Sequence, residues 1–252
     1  MDTTSIQVLG VVVHSPVSAG TNVILTVQCL AYHHTLRNRD TERARGWSLF
    51  FQMMAIATAA GVVKHGFQPM LGAGGYTLVL AMSNVASGFS TQGAQQATIA
   101  SFVAPDRRSL LLAMTLIELA LFLAANVVMG PDILLLIANT AVGLVPVIAA
   151  EAYAFRRGSP AGGAIAGGLS LSILTGLAYL GDFSPSPWFD NIDVAHLLMG
   201  VSFELVRRGA AGMTHPSTEP PSESAAPQVV RSSGSRSHES GRAPARDVPW
   251  RT

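Results

Sequence analysis

Asp193 and His196 stand three residues apart in FDNIDVAHLLMGVSFELVRRG, residues 189 to 209. On a helix that spacing puts both side chains on one face. A carboxylate beside an imidazole can serve as a pair of metal ligands, or as a general base with its orienting partner. At about 1.5 Å of rise per residue, His196 lies roughly 10 Å from the start of its helix at Phe189. A second imidazole, His65, falls near the matching end of another apolar stretch, and Glu118 sits midway along a third, MTLIELALFLAANV. In hydrocarbon each ionisable group costs on the order of a few kcal/mol unless it faces protein, water or a metal. His196 with Asp193 therefore reads either as a packed, hydrogen-bonded pair or as part of a site. Glu118 reads either as an interhelical hydrogen-bonding group or as an acid or base of that site.

Composition makes hydrocarbon the relevant solvent. The 252 residues are 49% hydrophobic and 12% charged, against about 25% charged in soluble domains, and the mean hydropathy is +0.38. This is the composition of an integral membrane protein, expected in the plasma (cytoplasmic) membrane among lipids. A formal charge of +1, with the arginines in short loops and the tail, excludes a nucleic-acid surface. A single cysteine, Cys29, excludes an internal disulfide and a CxxC metal motif. The opening MDTTSIQ has no basic segment, so no cleaved signal is expected. No nucleotide cofactor is expected either.

The elements that must carry these residues are helices. Stretches long enough to cross about 30 Å of hydrocarbon need roughly 17 to 25 residues. Seven occur, at about 18–36, 47–68, 72–90, 109–129, 132–154, 161–181 and 189–206. Turn and stop signals separate them, among them Pro69 with its flanking glycines, Gly130-Pro131-Asp132, Gly158-Ser159-Pro160 and GDFSPSPW. Residues 93–104, GAQQATIASFVA, read as a short interfacial helix of their own. The odd loops carry Arg37, Arg39, Arg43 and Arg45, then Arg107 and Arg108, then Arg156 and Arg157, and the last helix ends in Arg207 and Arg208. The even connections carry no arginine. Because cytoplasmic loops accumulate basic residues, the expected fold is an all-α seven-transmembrane-helix bundle, N-out and C-in. Residues 1–17 form a short extracytoplasmic N-terminus, 18–208 the membrane domain and 209–252 a Pro-, Ser-, Gly- and Arg-rich tail with no apolar periodicity, expected to be disordered. Gly163 and Gly167 form a GxxxG contact surface, and Pro146 with Gly143 is expected to kink its helix.

The placement of His65, and AHLLMG around His196, resembles the superfamily of alkaline ceramidases and progestin and adipoQ receptors, often called CREST. The resemblance covers about residues 20–208. It implies a seven-helix, membrane-embedded zinc amide hydrolase, with a Ser and His four apart on the second helix, an Asp on the third and two His four apart on the seventh. Here Gly61 stands four before His65, Ile192 four before His196, and no Asp or Glu occurs from Leu71 to Ala104. A catalytic zinc takes about three protein ligands and an open water position. The implied ligand set is therefore His65, His196 and Asp193, with Glu118 as acid or base.

Three functions compete at this stage. One is a zinc-dependent hydrolase of lipid amides or esters, and the second is a non-catalytic relative that binds a lipid or a partner in the same cavity. The third is a small-molecule transporter, although no inverted repeat is visible. Retinal is excluded, because the seventh span offers no lysine for a Schiff base. Oligomeric state is left open.

Overall fold

The computed structural model describes residues 4–8, 10–181, 185–186 and 188–212. The tail expected to be disordered lies outside the described residues from 213 onward, as does part of GDFSPSPW. An antiparallel hairpin of β1 (Ser5–Val8) and β2 (Val11–His14) is followed by six helices: α1 (Pro16–Arg37), α2 (Glu42–Phe102), α3 (Pro105–Met129), α4 (Ile133–Arg156), α5 (Pro160–Leu180) and α6 (Asn191–Gly212). The sequence reading left the hairpin unassigned. Its signal is the alternation of Ile6 and Val8 with Val11 and Val13 about Gly10, whose φ of 84° suits a turn.

The 61 residues of α2 are two helices in one. Pro69 removes a hydrogen bond, and Gly72, at φ 58° and ψ 179°, takes a conformation that L-residues avoid. The chain folds back there. Ser90 Oγ donates to the Phe50 carbonyl at 3.1 Å and Ser83 Oγ to the Ala57 carbonyl at 3.4 Å, which pairs the two arms antiparallel. Gly93 lets them touch, since a Cβ there would lie 2.7 Å from the Phe50 backbone nitrogen. The second arm runs helical to Phe102, so residues 93–102 continue it instead of forming a separate interfacial helix. Buried small and polar side chains, Gln92, Ala94, Gln95 and Ala97 among them, pack that turn into the protein and keep it helical.

The helices make a ring: α1 packs on α2 and α6, α6 on α5, α5 on α4, and α4 back on α2. Helix α3 lies outside it, against the second arm of α2, where Asn84 Nδ2 donates to Asn126 Oδ1 at 2.8 Å and Gln92 Nε2 to Thr115 Oγ1 at 2.9 Å. The arginine-bearing ends come together. Arg108 pairs with Glu42 at 2.8 Å, Arg43 with Glu151 at 2.8 Å, and Arg39 donates to the Ala211 carbonyl at 3.2 Å. Above that end a core of Trp47, Phe50, Phe51 and Phe203 joins the first arm of α2 to α6 through edge-on ring contacts at 5.1 to 6.2 Å. Helices α2, α3, α4 and α5 are long and apolar enough to cross a membrane.

The expected glycine surface on α5 is displaced by one residue. Nothing lies within 4 Å of a Cβ placed at Gly167, and Gly163 faces Phe155 of α4. The close contact with α6 is made by Gly168 against the Ser202 carbonyl and by Gly209 against the Ala161 carbonyl. Gly143 likewise serves a helix contact, with a Cβ there falling 2.8 Å from Glu118 Oε1, and α4 stays helical through Pro146.

Candidate functional site

The ring holds a partly open cavity of about 220 Å³ lined by α1, both arms of α2, α4, α5 and α6. Its floor is Phe50 and Phe203; Lys64 and His65 stand 14 and 15 residues further along α2, with His196 and Tyr179 among the other lining groups. Between lie Met54, Leu136, Ile137 and Leu144, with several serines and threonines. Several of those hydroxyls are spent on backbone carbonyls: Thr58 Oγ1 donates to that of Met54 in its own helix at 2.9 Å and Ser90 Oγ to that of Phe50 on the facing arm. The wall is therefore mostly apolar.

His65 and His196 meet. Their ring centroids are 5.9 Å apart, edge to face at 79°. Two groups that the sequence reading did not assign to a site hold His196, and both come from α1. Thr21 Oγ1 gives its proton to the Ser18 carbonyl at 3.1 Å and so accepts from His196 Nδ1 at 2.9 Å. Asn22 Nδ2 donates to His196 Nε2 at 3.3 Å and to the Ser18 carbonyl at 2.9 Å. This network fixes a neutral imidazole with its proton on Nδ1. Gly61 makes room for it, because a Cβ there would lie 2.5 Å from Asn22 Oδ1. The serine expected from the resemblance is absent, and Asn22 takes its space.

Asp193 does not join the two imidazoles. Its carboxylate is buried against α1, accepting from Ser18 Oγ at 2.7 Å and from its own helix start, the Asp190 backbone nitrogen, at 3.1 Å. Nor does Glu118, which sits on α3 and accepts from Gln95 Nε2 at 2.7 Å, bridging α3 to the second arm of α2. Neither carboxylate lines the cavity. A zinc site needs about three ligands converging at roughly 2.0–2.2 Å. Among the described residues no group of three His, Cys, Asp or Glu side chains is placed to hold a metal ion. With both nitrogens of His196 engaged and Asp193 turned to Ser18, this arrangement does not fit the group.

The acids and polar side chains nearer the arginine end serve the frame. Glu204 accepts from Tyr32 at 2.6 Å and pairs with Arg207 and Arg208 at 2.7 Å. His33 Nδ1 lies 2.9 Å from Ser48 Oγ between α1 and α2, and Cys29 is a buried core residue.

No curated protein and no solved structure matches the chain. One family model does, described as a family of unknown function (DUF6962), over residues 17–215, which takes in every helix and the whole cavity. The chain belongs to that family.

Proposed function

We propose that this is a seven-span, N-out, C-in protein of the plasma membrane that holds one small amphiphilic molecule in the cavity of its bundle and does not hydrolyse it. The span count rests on α2 folding back at Gly72, which makes seven helical runs from six elements. It also rests on α1 and α6, which turn Val23, Ile24, Val27, Leu30, Leu197 and Val201 outward where a water-facing helix carries charges. Cysteine labelling after residues 40, 132, 158 and 186 should alternate in, out, in, out. Two consecutive positions on one side would rule out the topology.

The binding reading rests on one observation: no carboxylate among the described residues lines the cavity, and His196 already spends both ring nitrogens on α1. Metal-bound water lacks a three-ligand holder there, and His65, the imidazole with free ring nitrogens, has no carboxylate among the described residues to orient it as a base. The encounter of His65 with His196 supports kinship with the ceramidase superfamily as a relative that keeps the chamber without its metal chemistry. A volume just below the roughly 300–1,000 Å³ of small-molecule sites favours a single chain over a two-chain lipid.

The test uses protein in phosphatidylcholine nanodiscs and a nitroxide-labelled dodecyl alcohol whose spectrum broadens on immobilisation. Saturable binding is expected, and loss of it in Ala141→Phe, which fills the cavity from α4. Unchanged binding in a folded Ala141→Phe variant would place the ligand elsewhere. Metal analysis of the same preparation should find far less than one zinc per chain. One equivalent, lost on His196→Ala, would restore the hydrolase reading.

A further inference from the structure

We infer that the molecule this cavity takes is an anion at its head: a single-chain amphiphile ending in a carboxylate or phosphate, bound at Lys64. The inference rests on the cavity being a binding site and adds which chemical class it selects.

Lys64 is the chain's only lysine. It lines the cavity beside His65, and no carboxylate lies within ion-pair distance of it among the described residues. By contrast the half-buried Arg43, Arg108 and Arg207 each reach an acid at 2.7 to 2.8 Å. An ammonium half-buried in a mostly apolar wall without a counter-charge loses part of its solvation, a cost that a ligand's charge would offset.

Two more donors line the same cavity without an acceptor. The Tyr179 hydroxyl and the His65 ring have no hydrogen-bond partner among the described residues. The described acids near this end are engaged with backbone or with α1, Asp132 Oδ1 accepting from the Leu134 nitrogen at 2.7 Å. Asp190 Oδ1 accepts from the Ile192 and Asp193 backbone nitrogens at 2.9 and 3.2 Å, and Asp193 is held by Ser18. Among the described residues the cavity wall thus presents a cation and two neutral donors and no anion, which is the complement of a carboxylate or phosphate oxygen. From Lys64 to Phe50 is about 21 Å along α2 at 1.5 Å per residue, and the apolar wall between them suits an extended alkyl chain. A zwitterionic or cationic head would bring a positive charge against Lys64 and is disfavoured.

Four ligands of one chain length separate the contributions: dodecanoate, dodecyl phosphate, dodecanol and dodecyltrimethylammonium, each competing with the labelled alcohol in nanodiscs. The wild-type protein should prefer the anions to dodecanol by about tenfold or more, the scale of one charge-assisted hydrogen bond. The cation should compete least. The ratio of dodecyl phosphate to dodecanoate shows which head the site takes. Lys64→Met should bring the anions to parity with dodecanol measured on the same variant, and Lys64→Arg should keep most of the preference. Equal binding of dodecanoate, dodecyl phosphate and dodecanol by the wild type would overturn the inference while leaving the cavity reading intact. So would a preference that survives Lys64→Met. Absence of competition by all four would overturn both.

Discussion

Glu151→Ala should cost about 3–5 kcal/mol, the loss expected when one partner of a buried ion pair is removed. Glu151 on α4 is fully buried and its carboxylate meets Arg43 Nη2, whose side chain is 16% exposed, at 2.8 Å. Without the acid, the guanidinium keeps only the Phe102 ring, 5.7 Å from its central carbon, as a favourable neighbour. Water cannot reach it well enough to compensate. The geometry makes the pair a stabiliser only as a pair, since Arg43 Nε and Glu151 Oε2 both lack hydrogen-bond partners. Replacing both by apolar residues of similar volume, Arg43→Met with Glu151→Leu, should therefore recover most of the loss. Thermal unfolding of the purified protein reads both effects. A single variant within about 1 kcal/mol of wild type would mean that the charges are solvated, as exposed pairs are. The same pair fastens the start of α2 to the end of α4 at the arginine end of the ring, so Glu151→Ala should also loosen the wall that holds the cavity.

Gly168→Ala and Gly167→Ala differ by one position and should differ in sign. A methyl at Gly168 would sit 2.8 Å from the Ser202 carbonyl and 3.0 Å from the Val206 nitrogen, backbone atoms that can move only if α6 moves. Overpacking of that kind costs about 1–3 kcal/mol. It would also lengthen the bond from Ser202 Oγ to the Gly168 carbonyl, now 2.7 Å. A methyl at Gly167 meets nothing within 4 Å, and relief of glycine's backbone entropy should leave that variant neutral or more stable by about 0.5–1 kcal/mol. Because α6 carries His196, only the Gly168 variant should also weaken ligand binding. Thermal unfolding and probe binding measured on both variants check the contrast. Equal stability of the two would show that α5 and α6 do not approach as closely as described.

The sequence by itself determined most of the helices and their order. Hydropathy along the chain, helix stops at Pro69, Pro131 and Pro160, and arginine in alternate turns are local signals, each readable within a dozen residues. They were enough to bring the basic turns to one end of the bundle and to set His65 level with His196. Only the tertiary structure decided what those groups touch. His196 is held by Thr21 and Asn22, 175 and 174 residues earlier, and Asp193 by Ser18, also 175 residues away. Nothing local encodes the rotation of α1 about its axis that aims them there. The spacing of Asp193 and His196 puts both on one face of α6, yet three residues of a helix subtend about 300°, leaving an angle of roughly 60° between neighbours on one face. That angle is enough to give one side chain to the cavity and the other to α1. Glu118 shows the same division: its depth was legible, while its partner Gln95 depended on α3 packing outside the ring. The choice of Gly168 over Gly167 turned on a single step of helix rotation, fixed by the contact with α6 and by no pattern within α5.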